Sequence, residues 1–226
     1  HLAFRLVELI GLSETGRLDA EGTALLRLLT AVTKLTTARQ AVAAVSEAIE
    51  AFGGAGYVED TGLPVLLRDA QVLSIWEGTT NVLSLEALRA LKGGAALAAF
   101  KTELAGHARA ARESGLVDVA RHARAAAGQA EAWLTEAMRA GQPALEAGAR
   151  RFAITLGRSL ALALLVRQAQ WSLDNEGDSR AAAAARRFAQ HGVTLITLAS
   201  LTDARALAGD LPLPAPEPAV EAPMPV

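Results

Sequence analysis

The chain has 226 residues, with 22 Lys and Arg residues against 24 Asp and Glu residues and no Cys. Hydrophobic residues make up 51% of it and aromatic residues only 4%, and the abundance of Ala and Leu favours helices. This composition excludes a collagen, a disulfide-stabilised mini-protein and a wholly disordered chain. It also excludes a thiolate nucleophile, and the lack of Cys is compatible with a cytoplasmic location. The net charge of −2 gives no overall attraction to nucleic acid.

Neither the start of the chain nor its apolar segments indicate a membrane protein. The longest apolar stretch, residues 152–166, is interrupted by Arg158 and is too short to cross a bilayer, so no membrane association is expected. The first residues lack the pattern of a signal peptide. They also lack an initiator Met, and apolar residues recur at helical spacing from Phe4 onward. This favours a fragment of a longer protein over a trimmed disordered start.

A long helix followed by clustered glycines is the first predicted feature. Apolar residues recur every three or four positions and predict one helix over residues 18–52. The helix would end at three glycines within four positions, which are Gly53, Gly54 and Gly56. A helix end requires only one glycine, so this backbone is expected to approach a phosphate or another chain closely.

The next segment is predicted to be mostly irregular. Residues 57–76 are expected to form a loop that contains Pro64 and a short turn around residues 66–74. A helix over residues 82–91 follows, and its N-terminus would be capped by Thr79, Thr80 or Asn81.

The rest of the chain is predicted to be helical as well. Four helices are expected, over residues 95–113, 117–140, 143–173 and 179–208. Short turns between long helices imply antiparallel packing, and no convincing strand pattern is present, so the predicted fold is an all-α antiparallel bundle extended by a second bundle. The predicted domains are residues 1–91, residues 92–209 and a Pro-rich disordered tail over residues 210–226.

Most common catalytic and metal-binding signatures are missing from the sequence. There is no GxSxG elbow, no P-loop and no GxGxxG between a strand and a helix. The histidines are too far apart for a compact set of metal ligands, so no metal site is predicted. Each is expected to be solvated or to cap a helix, and they are His1, His107, His122 and His191.

Glu77 stands in a polar segment that is the best candidate for catalysis. It lies between the apolar pair Ile75-Trp76 and the start of the helix over residues 82–91. Apolar surroundings disfavour a charged carboxylate, whereas a helix N-terminus favours it, and such opposing influences are typical of a catalytic base. A simple helix-capping role for Glu77 is equally compatible with the pattern.

Several short motifs occur in a fixed order between residues 34 and 81. They are Lys34, Gly53-Gly54-Ala55-Gly56-Tyr57, Glu59-Asp60, Arg68-Asp69-Ala70, Ile75-Trp76 and Glu77-Gly78-Thr79-Thr80-Asn81. In this order and spacing, the motifs closely resemble the C-terminal helical domain of FAD-dependent acyl-CoA dehydrogenases. The resemblance covers roughly residues 4–91, and linked motifs are far more specific than one glycine-rich loop.

The resemblance implies roles for individual residues. Glu77 would remove the α-proton of an acyl-CoA thioester while the β-hydride passes to the flavin, and its backbone N–H would donate to the thioester carbonyl. Gly78 would contact the substrate. The implied FAD contacts are Thr79 and Asn81 and, on a neighbouring subunit's flavin, Gly53 and Gly54. Glu50 stands where most family members have glutamine, which would place a carboxylate near phosphate.

The resemblance also implies partners. It implies a homodimer or a tetramer, and an electron-transfer flavoprotein as a possible electron acceptor. The helical residues after residue 91 resemble the AidB-like branch, whose C-terminal addition has been associated with DNA. A phosphate-binding face within residues 92–209 would consist of Arg150, Arg151, Arg158, Arg167, Arg180, Arg186 and Arg187. A solvated face or salt bridges would explain the same arginines.

Three functions are therefore open at this point. The first is the C-terminal part of an FAD-dependent acyl-CoA dehydrogenase, inactive as a fragment because the resemblance covers only one domain of that family. The alternative is an AidB-like DNA-binding or protective flavoprotein with little dehydrogenase activity, which requires the arginines to share one exposed face. A helical scaffold with vestigial motifs is the third.

Overall fold

The computed structural model describes residues 1–197 and 201–209, and this part of the chain contains helices and no strand. The all-α prediction is therefore confirmed. The first compact unit is His1–Ile196. Its helices are α1 Leu2–Glu14, α2 Ala20–Glu50, α3 Gly54–Tyr57, α4 Leu63–Val72, α5 Thr80–Ala90, α6 Ala95–Ala108, α7 Ser114–Ala140, α8 Gln142–Glu176 and α9 Arg180–Gln190.

The second unit, Thr197–Val226, is described only in part. Its described residues form one helix, α10, over Leu201–Ala208. The predicted disordered tail over residues 210–226 lies outside the described residues.

The central helix of the first unit is α8, which packs on α2, α5, α6, α7 and α9. Its largest fully buried side chains are Phe152, Leu156, Leu160, Leu162 and Val166. The helix is long and apolar enough to cross a membrane, but 67% of its most apolar window is buried within the protein. That degree of burial is expected of a core helix.

Two glycines of α8 allow neighbouring helices to approach closely. A Cβ atom on Gly157 would lie 2.0 Å from the hydroxyl oxygen of Thr36 on α2. A Cβ atom on Gly148 would lie 2.0 Å from the ring of Trp133 on α7, which itself packs on Phe152 with ring centroids 5.3 Å apart. Distances this short are not sterically allowed, so these contacts require glycine.

A partly buried ionic cluster joins α1 to α6. The Arg5 guanidinium donates to both carboxylate oxygens of Glu103, at 2.5 and 3.0 Å, and Nε2 of His107 lies 2.6 Å from the same carboxylate. Burial raises the pKa of Glu103, but the hydrogen bonds to His107 and Arg5 outweigh it and lower the pKa to about 2. His107 is buried, so the prediction of a solvated or capping histidine is wrong at this position.

The predicted loop over residues 57–76 is wrong in part, because it contains the ten-residue helix α4. Pro64 lies in the first turn of this helix, where its missing N–H costs no hydrogen bond. Gly62 precedes the helix with φ +71°, a conformation that glycine adopts readily.

The single helix predicted over residues 179–208 is also wrong. Helix α9 ends at Gln190, and the chain then continues without helical structure to Thr197. Gly192 has φ +76°, and the N–H of Leu195 donates to the hydroxyl of Thr155 on α8 at 2.9 Å. Arg158 of α8 donates to the carbonyl of His191 at 3.3 Å. The helix therefore ends at Gln190 because side chains of α8 make hydrogen bonds with the backbone groups of the residues that follow α9.

The turn after α6 shows a smaller difference. Helix α6 ends at Ala108 rather than at residue 113. The buried amide oxygen of Gln170 on α8 accepts from the backbone N–H groups of Arg112 and Glu113, at 2.7 and 2.9 Å. The Glu113 side chain then caps α7 by accepting from the N–H of Leu116 at 2.7 Å. These long-range bonds replace the last helical turn that the sequence predicts.

Candidate active site

Glu77 occupies a strained position in the turn between α4 and α5. Its φ is +51°, and it is the one residue other than glycine with positive φ in the part of the chain that the structure describes. Gly78 follows with φ +110°. A left-handed conformation costs a residue with a Cβ atom roughly 1 kcal/mol or more, so the surrounding contacts must hold Glu77 in place.

Lys34 on α2 supplies such contacts. Its ammonium donates to the carbonyl oxygen of Trp76 at 2.5 Å and to that of Gly78 at 2.9 Å. These carbonyls stand on either side of Glu77. The sequence motif includes Lys34 but assigns it no role, because its partners are backbone atoms more than 40 positions away.

Large apolar side chains are exposed along residues 52–82, a segment that includes Glu77, and we call this set the 52–82 surface. Most large apolar side chains that are exposed among the described residues belong to it, namely Phe52, Tyr57, Val58, Val65, Leu66, Val72, Leu73, Ile75, Trp76 and Val82. Ile75 and Trp76, directly before Glu77, are 62% and 58% exposed. So many exposed large apolar side chains in one segment are typical of a region that a ligand or another protein surface covers.

The glycines after α2 differ from one another. Gly53 has φ +57°, and a Cβ atom on Gly53 or Gly54 would meet no atom within 4 Å, so space beside both is open. A Cβ atom on Gly56 would instead lie 2.1 Å from the carbonyl oxygen of Ile49, so Gly56 is required for internal packing. The N–H of Gly53 donates to the carbonyl of Glu50 at 2.9 Å, so it already has an internal acceptor.

A cleft of about 430 Å³ lies beside these glycines. It is formed by the end of α2 and by α4, and its lining includes Glu50, Gly53, Tyr57, Glu59 and Arg68. Arg68 and Glu59 form an exposed bidentate ion pair at 2.9–3.0 Å, which lowers the pKa of Glu59. The cleft has room for part of a ligand, but Glu50 contributes a carboxylate to it.

The start of α5 carries the remaining predicted cofactor residues. Thr79 is the N-cap residue, yet its side chain makes no capping hydrogen bond. Asn81 is exposed and lines a cleft of about 400 Å³ together with Ser84, Arg150 and Arg151. Glu77, Gly78, Thr79 and Asn81 therefore lie together at one helix N-terminus, as their positions in the sequence predict.

The two glycines lie far from this turn within the same chain. Lys34 marks the position of the Glu77 turn along α2, and Glu50 marks the end of that helix. At 1.5 Å per residue these positions are about 24 Å apart. One chain therefore does not bring Gly53 and Gly54 together with Glu77.

The arginines proposed for DNA do not share one exposed face. Arg158 donates to backbone carbonyls and stacks on Phe188 at 5.7 Å, and Arg180 pairs with Asp178. Arg167 lies about 160° around α8 from Arg151, since each residue turns the helix by 100°. The arrangement does not meet the condition that the DNA-binding alternative requires, so that alternative is not favoured.

Comparison with known protein families identifies both parts of the chain. Residues 5–92 match the family described as acyl-CoA dehydrogenase, C-terminal domain, and residues 95–208 match the family described as acyl-CoA dehydrogenase 11 C-terminal domain-like. The second match alone covers half of the chain. The chain therefore belongs to the acyl-CoA dehydrogenase family. The predicted division into domains at residue 91 stays a prediction.

Two curated relatives match the first part of the chain. Acyl-CoA dehydrogenase family member 11 of Caenorhabditis elegans is 60% identical over 92 residues, which are 41% of this chain and 15% of that protein. The putative acyl-CoA dehydrogenase AidB of Escherichia coli is 41% identical over 75 residues, 33% of this chain and 14% of that protein. The aligned segments thus span about one-seventh of these relatives, and membership of the AidB-like branch stays a prediction.

Two solved structures resemble a larger part of the chain. The crystal structure of Caenorhabditis elegans ACDH-11 in complex with C11-CoA has a TM-score of 0.83 at 36% identity and covers 92% of this chain and 37% of that one. The apo form of Bd2924 has a TM-score of 0.57 at 38% identity and covers 76% and 30%. The helical fold of the chain is therefore that of the acyl-CoA dehydrogenase C-terminal region.

Proposed function

We propose that this chain is the C-terminal part of an FAD-dependent acyl-CoA dehydrogenase in which Glu77 is the base. The observation that carries the proposal is the geometry of Glu77, which the turn presents at positive φ in the segment that carries the 52–82 surface. The similarity to ACDH-11, whose structure contains C11-CoA, supports an acyl-CoA as the substrate. As a part of a longer enzyme, the chain alone is expected to be inactive.

The proposed reaction requires two groups of Glu77. The carboxylate takes the α-proton of the thioester, and the backbone N–H donates to the thioester carbonyl, which gains negative charge as the proton leaves. Flavin, when bound, accepts the β-hydride. Gly78 has φ +110°, which glycine adopts readily, and a Cβ atom on it would lie 3.0 Å from the side chain of Leu83, so Gly78 would contact the substrate through its backbone. The exposed Ile75 and Trp76 exclude water once they are covered.

The residues of the chain fit a dinucleotide cofactor shared between two copies. Thr79 and Asn81 offer polar groups at the start of α5, and the open space beside Gly53 and Gly54 allows a ligand to approach the backbone. Because these two groups are about 24 Å apart along α2, the glycines would contact the cofactor of a neighbouring subunit. This separation and the 52–82 surface support a homodimer or a tetramer.

Two further parts of the proposal depend on composition and family resemblance alone. The absence of Cys in the chain supports a cytoplasmic location. Family resemblance supports an electron-transfer flavoprotein as the electron acceptor.

The decisive experiment replaces Glu77 with Gln in the full-length protein. Gln keeps the size of the side chain but removes the base, so flavin reduction by acyl-CoA should slow by about 10²–10⁴-fold in stopped-flow measurements. FAD content and acyl-CoA affinity should not change. Glu86→Gln is the matched control, because Glu86 lies on α5 and pairs only with Arg89 among the described residues. Equal reduction rates in both variants would refute the role of Glu77.

A further inference from the structure

We infer that Lys34 is a positioning residue that orients the backbone N–H of Glu77 toward the thioester carbonyl. The inference rests on the proposed function for the identity of the ligand. It does not depend on whether the Glu77 carboxylate is the base. It concerns a residue on α2 that lies outside the turn which would contact the substrate.

The first step is the geometry of one peptide group. The carbonyl of Trp76 and the N–H of Glu77 belong to the same planar peptide unit, in which the two bonds point in opposite directions. The Lys34 ammonium holds that carbonyl at 2.5 Å. The N–H of Glu77 is therefore directed away from Lys34, and its direction is fixed when the carbonyl is fixed.

The second bond of Lys34 fixes the other side of the turn. The ammonium also donates to the carbonyl of Gly78 at 2.9 Å, so the peptide units before Glu77 and after Gly78 are both held by one group. The peptide unit between them has little freedom left. This double anchor explains how Glu77 keeps φ +51° against its intrinsic preference.

The third step is electrostatic. A charged donor polarises a carbonyl more strongly than a neutral one, and polarisation passes through the peptide unit to its N–H. Lys34 takes part in no ion pair among the described residues, so its charge is not offset by a carboxylate within 4 Å. The N–H of Glu77 is thereby made a stronger donor where the enolate-like charge would develop.

The experiment compares Lys34→Met with Arg27→Met in the full-length, FAD-loaded protein. Met removes the ammonium but keeps an unbranched side chain of similar length. Arg27 is an exposed residue of α2 whose replacement removes the same charge from the same helix. The probe is an acyl-CoA analogue that cannot be oxidised and therefore does not reduce the flavin, with a ¹³C-labelled thioester carbonyl, whose infrared band moves to lower frequency when the carbonyl accepts a strong hydrogen bond.

The expected result is specific to Lys34. In Lys34→Met the infrared band should move back toward its position in water, and flavin reduction should slow by about 10–100-fold while the acyl-CoA dissociation constant changes by less than about threefold. Amide hydrogen exchange over residues 75–79 should speed up by about tenfold. Arg27→Met should leave all four quantities unchanged.

Two outcomes would overturn the inference, and each differs from a failure of the proposed function. An unchanged infrared band in Lys34→Met would show that Lys34 does not orient the donor, whatever Glu77→Gln does to the rate. An unchanged exchange rate over residues 75–79 would show that Lys34 does not hold the turn. If Lys34→Met does not fold, Lys34→Gln, which removes the charge and keeps an amide NH₂ on a shorter side chain, is measured in the same way and should move the band in the same direction.

Discussion

The 52–82 surface and the helices α6 to α9 differ in how far their apolar side chains are buried and their polar groups are hydrogen-bonded within the chain. Around α8, glycines are used for helix contacts, the buried amide of Gln170 has backbone partners, and most large apolar side chains are buried, with Val117, Met138 and Trp171 as exposed exceptions. Along the 52–82 surface, large apolar side chains are exposed, and Gly53 and Gly54 face open space. The first region is packed largely within the chain, whereas the second exposes the side chains that the proposed ligand and second subunit would cover.

This difference separates the effects of substitutions. Changes in the α6–α9 region should lower the free energy of unfolding and leave FAD affinity unchanged in molecules that fold. Changes on the 52–82 surface should weaken FAD binding and leave the free energy of unfolding nearly unchanged. The three predictions below test this separation, beginning with the largest expected effect.

The Arg5–Glu103–His107 cluster should make stability depend on pH. The pKa of Glu103 is about 2 in the folded protein and near 4.5 when unfolded, so its contribution is complete above pH 4.5 and disappears as the pH falls to about 2. That contribution is about 3 kcal/mol, since one pKa unit corresponds to 1.36 kcal/mol.

Urea unfolding of the wild type and of Glu103→Gln between pH 6 and pH 2 measures this term. The difference in the free energy of unfolding between the wild type and Glu103→Gln should become smaller as the pH decreases. Glu136→Gln, which removes an exposed partner of Arg139, is the control and should show little difference at any pH. A constant difference for Glu103→Gln would contradict the role assigned to the cluster.

Gly157→Ala should lower the free energy of unfolding by about 2 kcal/mol, because its methyl group would overlap the hydroxyl of Thr36. Gly128→Ala is the matched control on the exposed side of α7, where a Cβ atom meets nothing within 4 Å. That substitution should stabilise the protein by about 0.5–1 kcal/mol. Denaturant unfolding of both variants measures the change in the free energy of unfolding, which should be negative for Gly157→Ala and positive for Gly128→Ala. Changes of the same sign in both variants would refute the close contact between α2 and α8.

Gly54→Val should weaken FAD binding by about tenfold and leave the free energy of unfolding nearly unchanged. Gly54 does not have positive φ, so Val causes no backbone strain there, but its side chain would occupy the open space beside the loop. Titration of the full-length apoprotein with FAD, followed by flavin fluorescence, measures the change. Gly106→Val, at an exposed position of α6, should have no effect on affinity.

The sequence predicts α2, α7 and α8 because their buried stripes are covered by other helices of the same chain. It misses α4 because Pro64 favours a loop in a reading of the sequence, and the segment around it is short. In the structure Pro64 lies in the first turn of α4, where a proline is compatible with a helix.

The remaining differences come from long-range partners. The break after α9 depends on Thr155 and Arg158, which stand more than 30 positions earlier. The ion pair of Arg5 with Glu103 spans 98 positions, and local spacing gives no signal for it. For the site, the sequence and the family resemblance single out Glu77, but the conformation of Glu77 and its support by Lys34 are visible only in three dimensions.

The positive φ of Glu77 implies a conflict between thermal stability and the proposed activity. Glycine at this position would adopt the same backbone conformation without strain, so the fold alone would favour glycine there. A glutamate in its place lowers stability, and selection for thermal resistance alone would be expected to remove it. Laboratory variants chosen only for heat tolerance should therefore often carry glycine at position 77, and under the proposed function each of them would lack the base.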